Sequence, residues 1–251
     1  MHREYVARKA YDKALQSWTV RLTNRGHLLG VFAAKQTVLE RQHISMGLHA
    51  FLGGADEQLV IRMWTGGKNC CSVYWIAELS PVFHLVFNGR DYDRLRDSGD
   101  GYLQAADLDG DGQAEFWQDS TTYDYFGASF ADSPSLTIYF KYDRDEGAYR
   151  PANAKVWPVI VQQMSPLLKN IQRLNSQGEF FGYESEGDDL HRQHYRRDIL
   201  SVTLAEIYAG REKEGWAFFE EQYRLRDKAE WRTALKSKLK QDTQFCGRPK
   251  P

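Results

Sequence analysis

The residue types that can do chemistry are concentrated in one short stretch, Asp107-Leu108-Asp109-Gly110-Asp111-Gly112-Gln113-Ala114-Glu115. Carboxylates stand at loop positions 1, 3, 5 and 9, and glycine stands at position 6, where calcium loops turn sharply. Position 7 of such a loop contributes a backbone carbonyl, so Gln113 can be any residue type. A hard divalent cation takes about six to eight oxygens, and four neighbouring carboxylates repel one another unless a cation stands among them. The spacing therefore points to Ca2+ in a structural role. Its ligands would be Asp107, Asp109, Asp111, Glu115 and the Gln113 carbonyl. An ion held there ties two chain segments together and stabilises the folded state by linkage. The alternative is a metal-free aspartate-glycine turn, a favoured hairpin connection in its own right. One Asp-Gly pair would serve for that, and this loop carries four acids.

The loop departs from an EF-hand. Position 12 is Gln118 where a bidentate Glu is required, and Asp119 lies one residue late. Its flanks, Tyr102 to Ala106 and Ala114 to Trp117, read as strand, as does Thr121 to Phe126. The loop is thus expected to connect strands as a hairpin.

Other constellations are thinner. Asp91, Asp93, Asp97 and Asp100 precede the loop; they read as a solvated acidic segment that can lend it an extra ligand. His191 and His194, near Asp188 and Asp189, have the i,i+3 spacing of a zinc-binding helix face, but a tetrahedral site needs further ligands. Acidic residues at a helix start also have an ordinary dipolar role. His43 and His49 read as buried or edge residues. Cys70 or Cys71 with His84 has the residue types of a nucleophile and base, but an apolar strand keeps a thiol inert. There is no G-x-S-x-G, P-loop, H-E-x-x-H or G-x-G-x-x-G motif. Cys70 or Cys71 is alternatively a disulfide partner for Cys246.

The elements around these residues divide into an α+β pattern: an antiparallel β-sheet domain over 17–150, sandwich or partial propeller-like, then a helical C-terminal region over 157–245. Strand-like runs are Trp18–Leu22, Gln58–Trp64, Cys71–Ile76, Val82–Phe87 and Leu136–Phe140, rich in β-branched and aromatic residues. Turn pairs such as Gly53-Gly54, Gly66-Gly67, Asn88-Gly89 and Glu146-Gly147 separate them. From Trp157 the apolar residues follow a helical period through Leu174, with Ser165-Pro166 predicting two short helices or one kinked there. Gly178 to Gly187 reads as a polar, acidic connection. Leu200, Leu204, Ile207 and Tyr208 then share a face that Gly210 ends as a C′ residue, and Trp216, Phe219, Tyr223, Trp231, Leu235 and Leu239 mark two further stripes.

Two resemblances follow from these residues. The stretch Asp107 to Phe116 resembles the calcium loop of FG-GAP/VCBS-type proteins, the bacterial relatives of integrin-α propeller blades. The runs Tyr125 to Ser129 and Leu136 to Tyr142 resemble the later strands of such a unit. The likeness implies one calcium-bound β-hairpin unit within 102–149, with Asp107, Asp109, Asp111, Glu115 and the Gln113 carbonyl as ligands. A closed propeller needs at least about four blades, and one loop of this type does not imply one. The stretch Tyr208 to Phe218 loosely resembles the helix-turn-helix of tetratricopeptide proteins, without a second copy.

The chain has 251 residues, with 42% hydrophobic and 14% aromatic residues and a formal net charge of −1. That composition supports a packed core and excludes disordered and collagen-like classes. It also argues against nucleic-acid binding, which draws on concentrated positive charge. Charge is nevertheless uneven. Fourteen Asp/Glu face four Lys/Arg over 91–147, and fourteen Lys/Arg face nine Asp/Glu over 191–251. The longest apolar stretch is interrupted by Glu78, Pro81 and His84, so no transmembrane segment is expected. The N-terminus shows no apolar leader. The calcium loop suggests a periplasmic or secreted protein whose leader has been removed, with a cytoplasmic protein as the alternative. The expected function is a soluble bacterial binding or interaction module with a protein or carbohydrate partner. The alternatives are a carboxylate-dependent hydrolase acting on carbohydrate through Asp91, Asp93 or Asp124, and a helical adaptor acting through 190–241. The calcium reading predicts a lower melting temperature in chelator, and a similar loss for Asp109→Ala.

Overall fold

The computed structural model describes residues 5–14, 17–33, 44–65, 72–92, 94–97, 103–177 and 189–242. Among these residues twelve strands precede four α-helices in chain order. The chain divides into two compact units, Met1–Gln118 with Phe140–Arg150, and Asp119–Tyr139 with Pro151–Pro251. Both the antiparallel sheets and the C-terminal helices give an α+β chain, and the sheets do not close into a propeller.

In the first unit, β1(Tyr5–Asp12), β2(Ser17–Asn24) and β3(His27–Ala33) form an antiparallel meander in the order β1-β2-β3. A second meander follows in the order β4-β5-β6-β7, from β4(Ile44–His49), β5(Gln58–Trp64), β6(Ser72–Glu78) and β7(His84–Asn88). Side chains alternate across a strand, and β2 shows it: Val20 and Leu22 are buried while Arg21 between them is exposed. Val20, Leu22 and Phe32 join Ile44, Leu59, Ile61, Met63 and Trp75 in one apolar core drawn from both sheets. β5 and β6 are almost wholly buried, as the near-continuous apolar runs in their sequences require.

The third sheet has the order β12-β11-β10-β8, built from β8(Leu95–Arg96), β10(Glu115–Ser120), β11(Thr137–Asp143) and β12(Ala148–Pro151). β9(Gln104–Ala106) pairs antiparallel with β10, placing Glu115 opposite Ala106 and Trp117 opposite Gln104. The acidic loop is therefore the β9–β10 hairpin connection. Behind β10 lies an aromatic cluster. Phe116 meets Phe87 at 4.8 Å edge-on, stacks on Phe140 at 4.9 Å and lies 4.9 Å from Tyr149.

The second unit holds α1(Trp157–Gln177), α2(Asp189–Tyr208), α3(Glu212–Gln222) and α4(Lys228–Gln241). α1 is one helix with Pro166 inside it, the single-helix alternative of the two that Ser165-Pro166 allows. α2 ends as its sequence requires. Gly210 has φ +76°, its N–H donates to Ile207 and the Arg211 N–H donates to Glu206, the paired bonds of a Schellman cap. Gly215 permits close passage of α3 over α2, since a Cβ there would lie 2.9 Å from the Thr203 carbonyl oxygen and from Ile207.

Two segments differ from the sequence reading. Residues 121–126 are turn, not strand: the Asp124 N–H donates to Thr121, the Phe126 N–H donates to Tyr123, and Tyr125 has φ +58°. β1 lies upstream of the first strand read from sequence, and its burial does not alternate cleanly. The three cysteines, Gly66-Gly67, Asp93, Asp100, His43, Tyr102, Asp188 and the 178–187 connection lie outside the described residues, so the disulfide expectation does too. Among the described residues no helix is long and apolar enough to cross a membrane.

Phe116 is fully buried at the centre of the aromatic cluster. Phe116→Ala is expected to lower unfolding free energy by about 3–5 kcal/mol, measured by urea denaturation.

Candidate functional site

The β9–β10 connection is held at its exit by neighbours in its own unit. The Ala114 N–H donates to the Phe51 carbonyl at 2.6 Å, and the Tyr149 hydroxyl donates to the Ala114 carbonyl at 2.9 Å. Gly110 and Gly112 have φ of +79° and +84°, the left-handed conformations that let so short a connection reverse. Gly53, at φ +74°, backs onto the loop so closely that a Cβ would lie 2.4 Å from the Gly112 carbonyl oxygen.

The acidic side chains converge as the spacing predicts. One carboxylate oxygen from each of Asp107, Asp109 and Glu115 lies within 4.8 Å of the others. Asp107 organises the turn: Oδ1 accepts from the Gly110 and Asp111 N–H groups and Oδ2 from the Gly112 N–H. Asp111 Oδ1 accepts from the Gln113 N–H, and Glu115 Oε2 from the Leu108 N–H. Glu115 is fully buried, whereas Asp109 and Asp111 keep about a third of their side-chain surface in water.

A residue that sequence reading missed completes the cluster. Lys141, on β11, places Nζ 2.7 Å from Asp109 Oδ2, 2.8 Å from Asp111 Oδ2 and 2.8 Å from Glu115 Oε1. Burial alone would lower the lysine pKa, but hydrogen bonds to Asp109, Asp111 and Glu115 outweigh it and raise the pKa. The same contact, with the Gln113 N–H, holds the Asp111 carboxyl below its ordinary value. All-oxygen donors suit a hard cation in kind, but calcium–oxygen distances are about 2.3–2.6 Å. An ion touching these three oxygens would overlap the ammonium. The arrangement does not fit a metal while Lys141 stands there.

The remaining sequence candidates fall elsewhere. Asp97 is no ligand to the loop; its carboxylate accepts from Arg62 Nη2 and Ser72 Oγ at 2.7 Å each and from the Tyr74 hydroxyl at 2.6 Å. Burial first, then the bond to Asp97, raises the Tyr74 phenol well above its ordinary value. Asp91 accepts from Asn88 at 3.0 Å. Asp119 Oδ1 accepts from the Thr137 hydroxyl at 2.9 Å, and Gln118 is buried. His194 Nε2 lies 3.1 Å from Asp132 Oδ1, whose other oxygen accepts from Ser129 at 2.6 Å. Among the described residues three metal-ligating groups gather only at Asp107, Asp109 and Glu115, not around His191 and His194. His84 Nε2 pairs with the Gly147 carbonyl at 2.7 Å, and His49 is exposed on β4, an edge strand.

No family model matches the chain, and comparison with curated proteins and with solved structures finds no match.

Two substitutions test this geometry. Gly53→Ala is expected to cost at least about 1–2 kcal/mol from the left-handed backbone alone, and more through the Gly112 contact, read by thermal melting. Asp97→Ala should cost about 3 kcal/mol, the order found when a buried pair loses one partner, read by urea denaturation against Tyr74→Phe, which should cost about 1 kcal/mol.

Proposed function

We propose that the chain is a non-enzymatic binding module in which the acidic loop is a structural staple. The staple reading is supported by the way the loop's carboxylates are used. Apart from Asp109 Oδ1, each of their oxygens receives a backbone N–H or the Lys141 ammonium. Groups engaged in this way hold the β9–β10 hairpin to β11 and have little capacity left for acid–base work on a substrate. A structural calcium ion, as the FG-GAP/VCBS likeness implies, belongs to this reading where Lys141 withdraws.

The binding reading rests on one observation. Tyr11 and Trp18 face each other across β1 and β2, meet edge-on at 5.8 Å, and remain 46% and 37% exposed. Two large rings held by strand pairing and left open to solvent form a rigid platform for a sugar ring or an extended peptide. Asp91, which the hydrolase alternative would use, accepts from Asn88, the residue that caps the 3-10 turn Gly89–Asp91.

Tryptophan fluorescence titration with a panel of oligosaccharides and of extended peptides tests the proposal. We expect a saturable change with one class, weakened at least about tenfold, or 1.4 kcal/mol, by Trp18→Ala with little change in melting temperature. Turnover of a glycan that Asp91→Asn or Asp124→Asn abolishes would instead make the chain a carboxylate-dependent hydrolase.

A further inference from the structure

We infer that Lys141 is the resident cation of the acidic loop, a tethered ammonium standing where a calcium loop holds its metal, so that the native fold neither needs nor readily takes calcium. The inference is independent of which partner the chain binds.

The geometry carries the argument. Nζ donates to Asp109, Asp111 and Glu115 at 2.7–2.8 Å. These are the lengths of charge-assisted hydrogen bonds. An ammonium has three donors, and three carboxylates take them. The fourth acid, Asp107, is compensated separately by the Gly110, Asp111 and Gly112 N–H groups, an arrangement of backbone donors that suits an anion. Only Glu115 is cut off from water, and it has both the ammonium and the Leu108 N–H. Asp109 and Asp111 are partly exposed, so water solvates their remaining charge. The mutual repulsion that makes four neighbouring acids look like a metal site is thus met within the chain itself.

Calcium could enter only by expelling Nζ. That breaks three charge-assisted bonds and leaves a lysine beside the incoming ion. The tether also raises the effective concentration of the resident cation, since β11 lies next to β10 in the sheet and cannot diffuse away.

The test uses the whole chain, the wild type beside Lys141→Gln and Lys141→Arg. Calcium binding is measured by titration calorimetry, and melting temperature in calcium and in chelator. For the wild type we expect no saturable binding up to about 1 mM calcium, the weak end for calcium modules, and the same melting temperature in both buffers. Lys141→Gln should melt about 5 °C lower in chelator, the shift of a 1–2 kcal/mol loss in a chain of this size, and should recover in calcium with newly measurable binding. Lys141→Arg keeps the charge and should stay calcium-indifferent. If Lys141→Gln fails to fold in chelator yet folds in calcium, the inference stands. If it folds in neither, the wild-type titration decides. Saturable calcium binding by the wild type, or a wild-type melting temperature that falls in chelator, overturns it.

Discussion

Burying a carboxylate is tolerable only if something of opposite charge, and enough hydrogen-bond donors, go with it. Glu115 is the place where this constraint acts on the chain. It opens β10, faces away from water, and must be met by a cation brought from another strand. Lys141 meets it from β11, and the order of the third sheet sets that meeting. The register of β10, the turn before it and the sheet order are therefore coupled. If β10 slipped by one residue, Glu115 would exchange faces with Phe116. An acid would enter the aromatic cluster and a phenyl ring would go among the carboxylates.

The same logic explains why the loop is both acidic and ordered. Two of its aspartates fold the chain toward themselves: Asp107 accepts from three successive N–H groups and Asp111 from the Gln113 N–H. The carbonyl and amide of Ala114 then fasten the exit of the turn to Tyr149 and Phe51. A motif that looks like a ligand set is thus also a folding device. Separating the two roles depends on a side chain that the motif itself does not contain.

What could be read in advance follows from the range of each interaction. β5 was legible from its run of apolar and β-branched residues, and the end of α2 from Gly210, because both signals are local. The hairpin nature of the acidic loop was legible from its strand-like flanks. Lys141 was not, since it lies 26 residues from Glu115 and only pairing within the sheet brings the two together. Asp97 was misread for the same reason: its partners Arg62, Ser72 and Tyr74 are 35, 25 and 23 residues away. The turn at 121–126 has strand-like composition; its i,i+3 backbone bonds and the positive φ of Tyr125 and Gly127 show that the backbone reverses there. Within it, Tyr123 shares a hydroxyl contact with Tyr208, which in turn donates to Asp242; those long-range bonds favour a bent segment over an extended one.

The division of the chain has a practical consequence for anyone dissecting it. The boundaries fall inside β10, β11 and β12, so the polypeptide passes from one unit to the other three times. No single cut releases either unit intact. A fragment ending at Arg150 carries 119–139 without the helices to which it belongs, and a fragment beginning at Trp157 leaves Tyr208 without Tyr123 and Ser201 without the Ser135 N–H. Truncation at the apparent seam between strands and helices would yield two incomplete pieces. Excising a self-sufficient unit requires splicing across the interruption, joining Gln118 to Phe140 or Tyr139 to Pro151 through a new linker.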